Sequence, residues 1–405
     1  MQKINNKITA ISLLNYIYII TTILWLPIQK TFLQFDGKAR TLFFLTIIVM
    51  IVNGQYNSFR KFAFSRPAVI WLIWCIYAII NATVQGYSVD LPMGYYFVLK
   101  ILSPYVIMVT ASYEFSKNEN RFLKSMLGTF VIYSIIGFYF MDNFYIAMQE
   151  GRSANNTLGN LLALNTVFIS FYAALLCNNK VISINAFYLF LAFAGTIITL
   201  SATRKAFGAV VIIYAFYLFS QIKPTLSNVI KYLIIFIIIY IGIDFIINNT
   251  YIGERFTKIE ESSEMLSDTD NPFLKMLGDR VFFYITGWDV FTNNPLCGIG
   301  LSNFGVYTKT NIVIHTEYIV QLCECGIVGT FLYVLFYSSI ISNIFKYHKS
   351  LSLEKSSRMI VFSAILAILF ISLTAWTYDF PFYFAVIGTV IGYTKKQNTI
   401  FPKQA

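Results

Sequence analysis

The sequence predicts an all-α, polytopic membrane protein with about twelve transmembrane helices and one large loop between the ninth and the tenth. Three observations carry this. Of 405 residues, 57% are hydrophobic and only 12% are charged, where a soluble domain carries about 25% charge. Mean hydropathy is +0.65. Apolar runs recur along the whole length, and a helical span with its connection takes roughly 30–35 residues. The same figures exclude a soluble enzyme, a disordered chain and a secreted disulfide scaffold.

The runs lie at about 8–28, 40–54, 67–84, 95–112, 125–141, 159–177, 184–200, 206–221, 230–247, 316–343, 359–376 and 381–394. The first reads as a span rather than a cleavable signal. Orientation follows from the basic residues. With the N-terminus inside, 18 of the 30 Lys and Arg fall in inner segments, among them Arg60, Lys61, Lys117, Arg121, Lys355 and Lys395. Eleven fall outside, five of them in the one long loop, where the charge rule does not count. Both termini are therefore expected in the cytoplasm. The net charge of +11 reads as this loop bias and does not require nucleic acid. The five cysteines, Cys75, Cys177, Cys297, Cys323 and Cys325, suggest no disulfide framework.

Three regions follow: 1–247 with spans one to nine, 248–314 as the large outer loop, and 315–405 with spans ten to twelve. The loop opens with an acidic patch from Glu254 to Asp270. Asp279 to Thr292 then reads as an amphipathic helix with Phe282, Phe283, Ile285 and Trp288 toward one side. Asn293-Asn294-Pro295 stops it. The Gly298-Ile299-Gly300 that follows reads as a tight turn, since no strand precedes it and no dinucleotide fold is possible here.

The candidate chemistry gathers on the outer side. His315 stands where the long loop enters the tenth span. An imidazole can take a proton at neutral pH, and the competing reading is a loop histidine with one structural hydrogen bond. His348 sits among lysines in a cytoplasmic loop and reads as solvated surface. Glu317, Gln321 and Glu324 share one helix face. Glu324 is deep enough that it must face protein or a water-filled cavity; a substrate contact and a buried structural bond weigh evenly. Gly326 and Gly329 read as a close-packing surface.

Arg204 and Lys205 occupy a very short outer connection, against the inside bias. An anionic ligand would explain them, because a guanidinium fork matches phosphate oxygens; lipid headgroups would explain them equally. Arg280 is similar, and Arg152 and Arg255 are weaker candidates. Lys100, about a turn inside the fourth span, reads as snorkelling outward, and Pro104 as a kink. Two distant histidines and no paired outer carboxylates make a poor metal site.

Several of these motifs together resemble the O-antigen polymerase and O-antigen ligase superfamily. Asn294-Pro295-Leu296-Cys297-Gly298-Ile299-Gly300 matches its N-P-x-x-G-x-G turn. His315-Thr316-Glu317-Tyr318 and Glu324-Cys325-Gly326-Ile327-Val328-Gly329 match its histidine and Gly-rich helix. Ser201-Ala202-Thr203-Arg204 and Gly278-Asp279-Arg280 are similar to its two arginine motifs. Thr316 departs from the asparagine usual in the family. The resemblance implies a GT-C-like membrane glycosyltransferase working at the periplasmic face without cofactor or metal. Its donor would be a glycan on undecaprenyl pyrophosphate. Arg204 and Arg280 would bind the pyrophosphate and stabilise its developing charge. His315 would take the acceptor hydroxyl's proton as that hydroxyl attacks the anomeric carbon, with inversion. Glu317, Lys205, Gln321, Glu324 and Arg152 would help bind substrate.

Polymerisation of lipid-linked repeat units into O-antigen or capsule is the preferred reading. It rests on the fuller turn motif and the aromatic-rich spans. Ligation of finished O-antigen to lipid A–core is the alternative. A flippase or transporter is third, disfavoured by the lack of internal repeats and of mid-membrane charges. A chain-length regulator is an expected partner of a polymerase.

Overall fold

The computed structural model describes residues 9–31, 38–86, 91–139, 156–201, 203–221, 281–309, 316–346 and 352–400. The predicted ninth span and most of the predicted long loop lie outside these residues, as do Arg152, Arg280 and His315.

Every other predicted apolar run coincides with a helix. These are α1 (Ala10–Thr31), α2 (Lys38–Gly54), α4 (Arg66–Val84), α5 (Leu91–Lys117), α6 (Glu119–Tyr139), α7 (Asn156–Asn178), α8 (Ile184–Leu200), α9 (Arg204–Gln221), α12 (Glu317–Phe345), α13 (Ser352–Ser372) and α14 (Pro381–Ile400). Three shorter helices complete the described set: α3 (Asn57–Ala63), α10 (Val281–Asn293) and α11 (Phe304–Tyr307). No strand occurs among the described residues. By length and composition, α4, α6, α12 and α13 can each cross a membrane, and α2 with α3 forms a fifth candidate bent by 119°. The chain is a multi-pass membrane protein, and its regular structure among the described residues is all helical.

Local sequence explains the boundaries. Pro67 stands in the first turn of α4, where its missing N–H costs nothing. The Ser183 hydroxyl accepts from Ala186 N at 3.2 Å and caps α8. α10 occupies most of the predicted amphipathic stretch and stops at Asn293, as the Asn-Asn-Pro sequence requires. α5 continues through Pro104 as one helix.

The helix ends sort into two sets. At one end Lys117 of α5 donates to Ser12 of α1 (3.1 Å) and Lys395 of α14 to the Lys61 carbonyl of α3. There also Asn178 of α7 meets Ser357 (2.6 Å), and Gln221 of α9 meets Ser356 (3.0 Å), both near the start of α13. At the other end the last turn of α4 meets the Cys297–Gly300 stretch, through Asn81 and Gln85. The residues predicted to face the cytoplasm, Lys61, Lys117 and Lys395, thus share the first end. At that end Glu114 is buried and accepts from Asn15 (2.7 Å) and Lys117 (3.1 Å).

The core is aromatic. Trp71 and Trp74 of α4 are fully buried and stacked, with centroids 4.5 Å apart, and Trp71 lies 4.7 Å from Phe336 and from Phe384. α5 and α14 approach closely because Gly388 and Gly392 face the backbone of Met108 and Ser112. Ser112 Oγ donates to the Gly388 carbonyl at 2.9 Å across that contact.

Candidate functional site

The sequence predicts one span over 316–343, with Gly326 as a packing glycine. The structure breaks α12 there. Gly326 has φ 63° and ψ −168°, a region open essentially to glycine alone. Contacts along α4 follow the consequence: Gln321 meets Trp74, Glu324 meets Asn81, Gly329 meets Tyr77 and Phe336 meets Trp71. The chain climbs α4 before Gly326 and descends it afterwards.

A break strands carbonyls on one side and amides on the other. Inside a membrane these must find partners. The Asn294–Asn303 loop supplies them. Ile299 N and Gly300 N donate to the Cys323 and Glu324 carbonyls at 3.0 and 2.9 Å. In return, Ile327 N and Val328 N donate to the Pro295 and Leu296 carbonyls at 2.8 and 3.2 Å. From α4, Tyr77 Oη reaches the Cys325 carbonyl at 2.7 Å and Asn81 Nδ2 the Cys297 carbonyl at 2.7 Å. The loop is a splint across the broken helix. Gly298 (φ 68°) is required by contact as well as conformation, since a Cβ there would lie 2.5 Å from the Glu324 backbone. The G-x-G is thus a turn, in agreement with its sequence, and also the piece of backbone that holds α12 open.

Glu324 locks the same loop through its side chain. Its carboxylate accepts from Ser302 N at 2.8 Å and Phe304 N at 3.2 Å, the latter at the start of α11. Glu317 does the equivalent at the start of α12. One oxygen accepts from Thr377 N and, at 3.2 Å, from Tyr378 N; the other accepts from Gln321 Nε2 at 2.8 Å. Gln321 Oε1 in turn accepts from the Trp74 indole at 3.0 Å. Glu317, Gln321 and Glu324 are all buried. They do share a helix, but each is engaged by protein groups.

The Leu373–Phe380 connection between α13 and α14 is the meeting point. Besides Glu317, Lys205 Nζ approaches the Thr374 carbonyl at 3.5 Å and Tyr284 Oη donates to the Leu373 carbonyl at 3.1 Å. Lys100 and Asp379 form an ion pair of 2.6 Å. Arg204 begins α9 next to Lys205. Arg280 precedes Val281, the first residue of α10, and His315 precedes Thr316, the residue before α12. Lys205 of α9, Tyr284 of α10 and Glu317 of α12 thus reach this one connection. Arg204's side chain, like the whole of Arg280, His315 and Arg152, lies outside the described residues.

Residues 188–334 match the family model described as O-antigen ligase. The match supports the O-antigen ligase and polymerase superfamily. It takes in Arg204, Arg280, His315, the splint loop and the break at Gly326. It leaves out α4, Lys100 and the Leu373–Phe380 connection. No curated protein matches the chain.

Sequence reasoning missed those outlying parts. Lys100 does not snorkel: it turns inward to Asp379. Cys75, nine residues from either end of α4, donates through Sγ to the Ile101 carbonyl at 3.4 Å. Lys100 thus lies near mid-height of α4, about 13 Å from each end at 1.5 Å per residue. A signal existed. Asp379 interrupts an apolar stretch between two spans, and an isolated carboxylate there requires a cationic partner. Asn81 and Tyr77 gave no such signal, since their targets are main-chain carbonyls exposed by the break. Among the described residues no group of three or more His, Cys, Asp or Glu side chains converges.

Proposed function

We propose that this protein is a polymerase that joins oligosaccharide repeat units carried on undecaprenyl pyrophosphate, at the periplasmic face of the bacterial inner membrane. The observation that carries the reading is the convergence of Lys205 of α9, Tyr284 of α10 and Glu317 of α12, all within the stretch that matches the O-antigen ligase model, on the Leu373–Phe380 connection. Twelve spans, cytoplasmic termini and a large periplasmic loop complete the layout.

In this reading His315 is the general base. It takes the proton from an acceptor sugar hydroxyl as the oxygen attacks the anomeric carbon, and the bond to pyrophosphate breaks with inversion. Arg204 and Arg280 bind the departing pyrophosphate and stabilise its growing charge. Lys205 adds positive charge beside Arg204, and Arg152 contributes a further substrate contact. Glu317, Gln321 and Glu324 are positioning residues: they anchor α12, and with it His315, to the connection and the splint loop. A chain-length regulator is the expected protein partner. The ligase reading uses the same groups with lipid A–core as acceptor, and the family description favours keeping it as the second reading.

The test is a set of single variants in membranes. His315→Ala, Arg204→Ala and Arg280→Ala should each abolish glycan transfer at normal membrane levels. Full activity in the His315 variant removes the base.

A further inference from the structure

The end where Lys61, Lys117 and Lys395 gather holds cations with no part in the reading above. Lys395 of α14 directs its ammonium to the Lys61 carbonyl of α3, over the Phe62 ring at 5.0 Å from the centroid. Arg60 and Lys61 of α3 and Arg66, the first residue of α4, are exposed. No carboxylate answers them. The sequence has no Asp or Glu between Asp36 and Asp90, and among the described residues none of these four cations is in an ion pair. The Lys61 charge instead acts on the Lys395 ammonium, and like charges disfavour each other.

Packing fixes this arrangement. α3 turns off α2 by 119°. Phe59 and Phe62 seat it, buried with ring centroids 5.4 and 6.4 Å from that of Tyr113. Tyr105 Oη donates to the Ala63 carbonyl at 3.1 Å. The depth is that of a lipid headgroup. Gly392 of α14 packs against Ser112 and Phe115 of α5, and Lys395 stands about 4.5 Å further along at 1.5 Å per residue. It is therefore level with the last turn of α5, which ends at Lys117, and just past the predicted twelfth span. Phe64, directly after α3, is 71% exposed. An exposed aromatic ring beside cations suits a membrane interface. The inner-loop bias toward Lys and Arg explains charge near span ends. It does not explain two lysines 334 residues apart in sequence locked to each other.

We propose that Lys61 and Lys395 bind the phosphodiester of an anionic membrane phospholipid, with Phe64 in the acyl region beside it. An ammonium has three donors. Lys395 uses one on the Lys61 carbonyl, which leaves two for phosphate oxygens. Lysine takes phosphate as a point charge, and an anion between the two ammonium groups relieves their repulsion. Arg60 and Arg66 add attraction from the rim. Headgroup depth and the exposed Phe64 favour a lipid over a soluble anion. This role is independent of the glycan-transfer reading.

The experiment titrates phosphatidylglycerol, and separately zwitterionic phosphatidylcholine, into full-length protein in detergent and reads bound lipid by native mass spectrometry. Wild type should prefer phosphatidylglycerol. Lys61→Gln/Lys395→Gln should bind it roughly twentyfold to thirtyfold more weakly, about fivefold for each ammonium. Lys124→Gln/Lys355→Gln removes the same charge from exposed lysines of α6 and α13 and should bind as wild type does. If the first double variant unfolds early, Lys61→Gln alone decides, since that side chain is exposed; it should lose about fivefold. Wild-type affinity in the Lys61 variants, an equal loss in the Lys124/Lys355 variant, or a wild type without preference between the two lipids overturns the proposal. So does release of phosphatidylglycerol by inorganic phosphate beyond that by chloride at equal ionic strength, which makes the site one for a soluble anion.

Discussion

Gly326→Ala puts the broken helix to a direct test. The substitution adds one methyl group at φ 63° and ψ −168°. That backbone region costs a non-glycine residue about 1–3 kcal/mol. The added Cβ would also lie 2.4 Å from the Leu296 carbonyl oxygen and 2.6 Å from Gly298 N. Both atoms are backbone, so the splint loop itself must move. Its four reciprocal bonds to α12 are then at risk, each worth about 0.5–1.5 kcal/mol net. A loss of about 3 kcal/mol or more is expected from the strain and the weakened bonds together. The assay is thermal unfolding in detergent, read beside amide hydrogen exchange at Ile299, Gly300, Ile327 and Val328. The variant should melt earlier and those four amides should exchange faster. Gly128→Ala is the control: a Cβ there meets nothing within 4 Å, and a change of no more than about 1 kcal/mol is expected for a helical glycine. A Gly326→Ala protein with wild-type melting and protected amides would refute the splint.

Other perturbations test neighbouring parts. Glu324→Gln replaces an acceptor of two amides by a group with one acceptor oxygen, so Ser302 or Phe304 loses its partner at a cost of about 1–3 kcal/mol; unchanged exchange at both amides would remove this role. Glu317→Ala strands the amides of Thr377 and Tyr378, and transfer should fall together with stability, by about 1–3 kcal/mol for each orphaned amide. Glu317→Gln keeps one acceptor and should fall between; a ranking with Gln worse than Ala contradicts the anchoring role. Asn81→Ala leaves the Cys297 carbonyl without its 2.7 Å donor and should lower the melting temperature while sparing undecaprenol binding.

The fold was largely legible because burial of apolar side chains away from water decides which segments enter a bilayer, and hydropathy along the chain reports it directly. Each apolar run in the described residues became a helix, and the Asn293-Asn294-Pro295 stop fell where turn chemistry put it. The grouping of basic residues was legible too, since Lys61, Lys117 and Lys395 gather at one end. The break in α12 was not. A glycine inside an apolar run reads equally as a packing site or a reversal, and only the distant Pro295–Gly300 backbone decides between them. The carboxylates show the same limit. Spacing placed Glu317, Gln321 and Glu324 on one helix. Their partners, at Thr377, Trp74 and Ser302, come from segments up to 247 residues away in sequence.

The most direct measurement is a donor-only reaction with purified protein. Undecaprenyl-pyrophosphate-linked repeat unit is supplied without lipid A–core, and products are separated by size. A polymerase with His315 as its base gives a ladder of repeat-unit multiples that disappears in the His315→Ala protein. Transfer that begins only when lipid A–core is added would contradict polymerisation and make the protein a ligase.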